Sequence, residues 1–187
     1  MGLVEERIEE SIRTKQMILK DCEIICRIQN AAAMISESLN HGGKVLLCGN
    51  GGSASDALHL AGEFVGRFQK DRKSMPAMAL NADVATMTSI ANDYGYERVF
   101  ARAVEGLMSE KDILLGISTS GNSENVYNAI LEAQRKNGKT IAFLGKDGGK
   151  IKDIADISIV VPSNCTARVQ ESHIMIGHII CELIEGQ

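Results

Sequence analysis

The stretch SASDALHLAGEFVGRF sets His59 and Glu63 four residues apart, one helical turn, so the two side chains share a face. A carboxylate and an imidazole in that relation bind a divalent metal or shuttle a proton. Asp56 lies one turn before His59 and Arg67 continues the row, so a surface ion-pair row is the competing reading of the same spacing. A further imidazole, His178, stands among isoleucines in ARVQESHIMIGHIICELIE. A lone histidine there is ordinarily a satisfied core residue, although desolvation also favours the neutral form that acts as a base. Gln170 precedes it on the same segment by about 12 Å of helix rise and most of a right angle in azimuth. One straight helix hardly brings both to a single atom. Either the helix starts near Gln170, or different subunits supply the two. His41 and His173 read as surface or loop histidines.

Two loops of small residues point to anion binding. In ISTSGNSENV, Ser118, Ser120 and Ser123 stand with Thr119, Gly121 and Asn122 where an apolar run hands over to a helix. Helix N-termini present unpaired N–H groups and the positive end of the dipole, and the hydroxyls add donors, making a neutral cradle for a phosphate dianion. Capping by Ser120 or Ser123 accounts for one serine and leaves the others unexplained. The second loop, GNGGSA (49–54), fits G-x-G-x-x-A, the dinucleotide fingerprint. The acid that should close the next strand is missing: MPAMAL is followed by Asn81, and Asp71 lies in a polar loop. Gly51 and Gly52 instead let backbone approach a polyol, with Asn50 offering amide hydrogen bonds.

These residues need a scaffold that delivers both loops to one place. The segment 3–40 has no proline or glycine and carries Ile8, Ile12, Ile24, Ile28 and Leu39 at helical spacing, one long helix or two ending at HGG. KVLLC, MPAMAL, DILLGIS, TIAFLG and ISIVV are short apolar runs of the kind that form strands buried on both faces. Helical stretches near 54–69, 83–92, 97–107, 123–137 and 167–184 alternate with them. That alternation predicts an α/β fold, a three-layer, doubly wound sandwich with a five-stranded parallel sheet, extended by the N-terminal helical segment. Ligands bind such sheets beyond the carboxyl ends of the strands, which puts CGNGGS and ISTSGNS on one edge.

The whole chain excludes several classes. At 187 residues it reads as one domain spanning 1–187, with 1–40 helical and 41–187 the α/β core. A net charge of -4 gives no general attraction for nucleic acid or anionic membrane. No apolar run reaches a membrane span, and the charged MGLVEERIEESIRTK is no secretory signal, so a cytoplasmic location is expected. Five cysteines suit reduced thiols there. Cys22 and Cys26, four apart, lack a second pair at zinc-finger spacing and read as core filler.

Taken together, LLCGNGGSASDALHLAGEF, ANDYGYERVFARAVEGL, KDILLGISTSGNSENV, GKDGG and TARVQESHI resemble the phosphoheptose isomerases of the sugar isomerase (SIS) domain superfamily, along the whole chain and in order. The S-x-S-G-x-S loop marks the superfamily. His59 with Glu63, Asn92-Asp93, and Gln170 with His178 are more specific. The resemblance implies isomerisation of sedoheptulose 7-phosphate to a heptose 7-phosphate, early on the way to nucleotide-activated heptose such as lipopolysaccharide uses. It implies Glu63 and His178 as the acid–base pair, set on opposite sides of the reacting carbons. Ser118, Thr119, Ser120 and Ser123 would hold the phosphate. Asn50, Gly51, Gly52, Ser53, Glu63, Asn92, Asp93 and Gln170 would bind the sugar, and His59, Glu63, Gln170 and His178 would hold zinc. It further implies a homotetramer with active sites at subunit contacts. Gly62 departs from relatives with a second acid there. The rival within the superfamily is a non-catalytic tetramer that binds a replication initiator or senses a sugar phosphate. Retention of Glu63 and His178 argues against it.

Overall fold

The structure, a computed structural model, describes residues 2–186. Its strands are β1 (Val45–Gly49), β2 (Ala77–Ala79), β3 (Ile113–Ser118), β4 (Lys139–Gly145) and β5 (Ile157–Val161). They form one parallel sheet in the order β2-β1-β3-β4-β5. The helices are α1 (Leu3–Lys20), α2 (Cys22–Asn40), α3 (Gly52–Val65), α4 (Val84–Tyr94), α5 (Val99–Leu107), α6 (Glu124–Arg135) and α7 (Thr166–Glu185), with 3-10 turns at Tyr96–Arg98 and Gly149–Ile151. The expected doubly wound sandwich is what the chain forms.

Side chains alternate across the sheet, so each strand feeds two cores. Val45, Leu47, Leu115, Ile117 and Phe143 pack against Ile28 and Ile35 of α2, Leu60 and Phe64 of α3, and Ile176 of α7. Leu46, Cys48, Leu114 and Leu144 turn the other way, onto Phe100 and Val104 of α5 and Val126 and Ile130 of α6. β1 and β3 are neighbours, with Gly49 opposite Ile117. The chain leaves β1 toward one side of the sheet and resumes at β3 on the other. This is the topological switch point, where the loops after two adjacent strands diverge and leave a crevice.

The N-terminal segment is two helices. Asp21 ends the first and caps the second, its carboxylate accepting from the amides of Glu23 and Ile24. α2 ends at HGG as expected, with Gly42 at φ +79°. Cys22 and Cys26 are not core filler. Both are exposed on α2, while Cys48 and Cys181 are buried, and all five thiols are free. No described helix is long and apolar enough to cross a membrane.

Candidate active site

The two small-residue loops emerge side by side from β1 and β3. Gly51, at the N-cap of α3, has φ +57°, a conformation that favours glycine. Asn81, where a dinucleotide site would carry an acid, bonds the backbone of Gly49 on both sides and so extends the β1 edge. In the serine loop Ser118 and Ser123 share a hydroxyl–hydroxyl hydrogen bond of 2.9 Å, and Ser120 Oγ accepts from the amide of Asn122 at 3.1 Å. Ser123 occupies the N-cap position of α6, but neither its hydroxyl nor that of Ser120 caps the helix, and the first-turn amide of Val126 donates instead to Asn125 Oδ1 at 3.0 Å. The capping explanation therefore fails for both serines. The amides of Glu124 and Asn125 at the start of α6 have no such side-chain acceptor, and unpaired N–H groups at a helix N-terminus attract phosphate.

The loop after β4 fixes this cradle from behind. Gly121, at φ +67°, lies so close to Gly148 that a Cβ would fall 2.0 Å from its carbonyl oxygen. The amide of Ile151 donates to Gly121 O and that of Lys150 to Asn122 Oδ1, both at 3.1 Å. Asn50 is held differently from the expectation. Its carboxamide pairs both ways with buried Asn125 of α6, at 2.8 and 2.9 Å, and its Oδ1 also accepts from the Tyr96 hydroxyl. The pair ties the β1 loop to the β3 loop across the crevice and engages the amide that was to meet the sugar. Sequence alone did not single out Asn125 or Tyr96. Asn92 and Asp93 are exposed at the end of α4 and bonded to each other.

Gln170 and His178 both lie on α7, which begins at Thr166, so the reading in which the helix starts near Gln170 fails. The Gln170 carboxamide lies against Gly52, where a Cβ would come 1.6 Å from Nε2. His178 lies farther along, where its Nε2 is 3.3 Å from His59 Nε2, itself 3.0 Å from Glu63 Oε1. All three ligand atoms fall within 4.8 Å of one another. The surface ion-pair row does not form. α3 ends at Val65, Arg67 reaches only the carbonyl of Gln69, and Glu63 pairs with His59. Nor do Glu63 and His178 of one chain bracket a substrate. Two carbons between them would need about 6 Å, one hydrogen-bond reach on each side, more than the 4.8 Å within which their ligand atoms lie.

The histidine of α7 expected at the surface is the buried one. His173 is fully enclosed beside Phe143, with Nε2 2.9 Å from Leu144 O and Nδ1 unpartnered, and burial pulls its pKa down to about 4. His178 is only partly covered. Gly62 has open space where a side chain would project, so an acid there would add to the surroundings without displacing anything.

Asp56 joins the same face of α3. Its Oδ2 is buried without a partner, and desolvation raises its pKa to about 6, against the pull of His59. A folded value above the unfolded 3.8 means that stability is fully present below pH 3.8 and is lost as pH rises through 6. Asp56→Asn is accordingly expected to stabilise the protein at pH 7 by about 1–2 kcal/mol, a two-unit shift discounted for the solvent that reaches the carboxylate. Urea unfolding at pH 7 and pH 4 checks this. The gain should appear at the first and fade at the second, and an unchanged midpoint at pH 7 would contradict it.

The geometry has a close match among known proteins. A SIS domain family model matches residues 14–145. Phosphoheptose isomerase from a Nitratiruptor species is 53% identical over 97% of this chain and 96% of its own. The chain belongs to the phosphoheptose isomerase family. Among solved structures, the phosphoheptose isomerase from Neisseria gonorrhoeae shares 41% identity and a TM-score of 0.91, over 98% of this chain and 97% of that one. The phosphoheptose isomerase from Francisella tularensis gives 38% and 0.93 over the same shares.

Proposed function

We infer that this chain is an aldose–ketose isomerase converting sedoheptulose 7-phosphate to D-glycero-D-manno-heptose 7-phosphate through an enediol. The observation that carries the reading is the convergence of Glu63, His59 and His178, from two helices, within 4.8 Å. The Glu63 carboxylate takes a proton from C1, and the electron pair moves into the C1–C2 bond as the C2 carbonyl becomes a hydroxyl. Glu63 returns that proton to C2. His178 relays the other proton, released by the C1 hydroxyl and taken up by the C2 oxygen. Ser118, Thr119, Ser120 and Ser123 with the α6 amides hold the phosphate. Gly51, Gly52, Ser53, Asn92, Asp93 and Gln170 contact the sugar chain, with Asn50 acting by fixing the loop.

His59, Glu63 and His178 also suit zinc. Neighbouring ligands of a tetrahedral zinc stand about 3.3 Å apart at bonds of about 2.0–2.1 Å, and two of the contacts here are 3.0 and 3.3 Å. Two imidazole nitrogens facing each other need a shared proton or a shared cation between them. Such a cation, when bound, stabilises negative charge developing on the substrate oxygens. Three ligands leave one position open, as catalytic sites do. Gln170 of the same chain is not at this cluster.

That separation supports an oligomer. Gly52, beside the cradle, and Glu63 are about 16 Å apart along α3. A seven-carbon sugar phosphate spans no more than about 10 Å from phosphorus to C1 at about 1.25 Å per bond along the chain. One chain's cradle therefore meets the catalytic cluster of another. Exposed Leu58 and Val65 on α3, with Ile179 and Leu183 on α7, surround the cluster with apolar surface fit for such a contact. Exposed Leu3, Val4, Ile8 and Ile12 suit α1 to the same assembly, a homotetramer in the cytoplasm serving heptose biosynthesis. Turnover of a panel of ketose phosphates, with and without chelator, is the test. Sedoheptulose 7-phosphate is expected to be the preferred substrate, with a loss of at least tenfold on chelation that added zinc restores. Binding without turnover, in zinc-loaded protein, would favour the sugar-phosphate sensor instead.

A further inference from the structure

His178 has an aromatic neighbour besides His59. The Phe68 ring stacks on its imidazole, with centroids 5.2 Å apart and planes inclined by 27°. Phe68 lies beyond the end of α3, in a segment without regular structure, so something else must hold it. That something is Glu185, in the last turn of α7. Its carboxylate, 2% exposed, accepts from the amides of Phe68, Gln69 and Lys70 at 2.8, 2.8 and 3.0 Å and from Arg72 Nε at 2.9 Å. Arg72 completes the strap by donating to the carbonyl oxygens of Glu63 at 2.7 Å and Phe64 at 2.9 Å. These carbonyls belong to the last turn of α3, where intrahelical partners run out. Burial alone would raise the Glu185 pKa, but so much donation outweighs it and holds the carboxyl down at about 2.

We propose that Phe68, fixed by the Arg72–Glu185 pair, is a positioning residue that sets the orientation of the His178 imidazole toward Glu63. The same strap grips the backbone of Glu63 itself, so one ion pair holds both halves of the acid–base cluster. A strap of purely structural value needs neither an aromatic ring at 68 nor stacking against a catalytic side chain. The distinction is therefore testable by chemistry at that one position.

This inference rests on the isomerase reading, and its test separates the two. In the zinc-loaded, fully assembled enzyme, Phe68→Leu and Glu185→Gln are expected to lower kcat on sedoheptulose 7-phosphate about tenfold, with KM within about twofold of the parent. Phe68→Tyr, which keeps the ring, is expected to stay within about twofold in both. The His178 ring-proton resonances, shifted by the stacked ring in the parent, should move toward solution values in Phe68→Leu and Glu185→Gln but not in Phe68→Tyr. Parental kcat in Phe68→Leu, or equal impairment in the leucine and tyrosine variants, overturns the proposal. If the parent itself fails to turn over, the isomerase reading falls, and the resonance shifts alone decide whether the strap orients His178.

Discussion

Glu63→Gln and His178→Gln are each expected to lower turnover of sedoheptulose 7-phosphate by about 10²–10⁴ while leaving the fold and assembly intact, the range that a positioned acid or base contributes. Both replacements are close in shape to the original. A glutamine at 63 still offers an oxygen to His59, now 3.0 Å from Glu63 Oε1, and position 178 is only partly covered, so neither change opens a cavity. What each removes is the ability to take and return a proton together with one of the three zinc ligands, so bound zinc is measured in each variant. Groups that act as one unit do not contribute additively, so the double variant should be little worse than the poorer single one. Steady-state kinetics on zinc-loaded protein, beside thermal unfolding and a size measurement, make the check. Full activity in either single variant removes that residue from the chemistry. Activity lost together with assembly would point to the apolar rim around the cluster instead.

The scaffold of this site was readable because parallel strands are covered on both faces. VLLCG and ILLGIS are buried at every residue, and such runs announce themselves without any alternation. MPAMAL, expected as a strand, yields only the three residues Ala77–Ala79, at the edge of the sheet, with Met78 47% exposed. The break between α1 and α2 had a signal in Asp21, a favourable cap residue, but no glycine or proline to confirm it. α3 stops at Val65 because Gly66 closes it and Arg72 takes its last carbonyls, and a guanidinium arriving from beyond the helix has no periodicity to reveal it.

Within the site, helical spacing alone supplied His59 with Glu63, and Asp56 was visible on the same row. Everything that joins different elements was hidden. Asn125 reaches Asn50 from a helix 75 positions later, and Phe68 meets His178 across 110 positions. The histidines of α7 show the limit best. His173 and His178 are about 140° apart around the helix axis. A helix apolar on nearly every side does not say which of two such directions faces the sheet. The family resemblance names His178 for the chemistry, and packing distinguishes the two histidines. The imidazole turned toward β4 is sealed in, and the one turned toward α3 keeps access to a substrate.

The sealed imidazole has a consequence for acid stability. In the unfolded chain His173 titrates near 6.5, and in the folded protein near 4. Between those values the unfolded state binds a proton that the native state refuses, so stability falls as pH drops from 6.5 to 4, by about 3 kcal/mol in total. Below pH 4 both states are protonated and this loss is complete. Asp56 works against it, because its raised folded pKa makes stability rise as pH drops from 6 to 3.8. The parent protein should therefore lose stability only gently across pH 4–6, because the smaller Asp56 slope offsets part of the His173 one. Glu185, held at about 2, adds a further loss only as pH falls below its unfolded 4.5. The clean measurement uses Asp56→Asn as background and follows urea unfolding from pH 7 to 4.5. A slope approaching 1.4 kcal/mol per pH unit should then emerge, the limit for one group. Adding His173→Gln, whose amide keeps a donor for Leu144 O, should remove most of it. An unchanged slope after that second substitution would mean that another group, and not the buried imidazole, sets the acid limit of this fold.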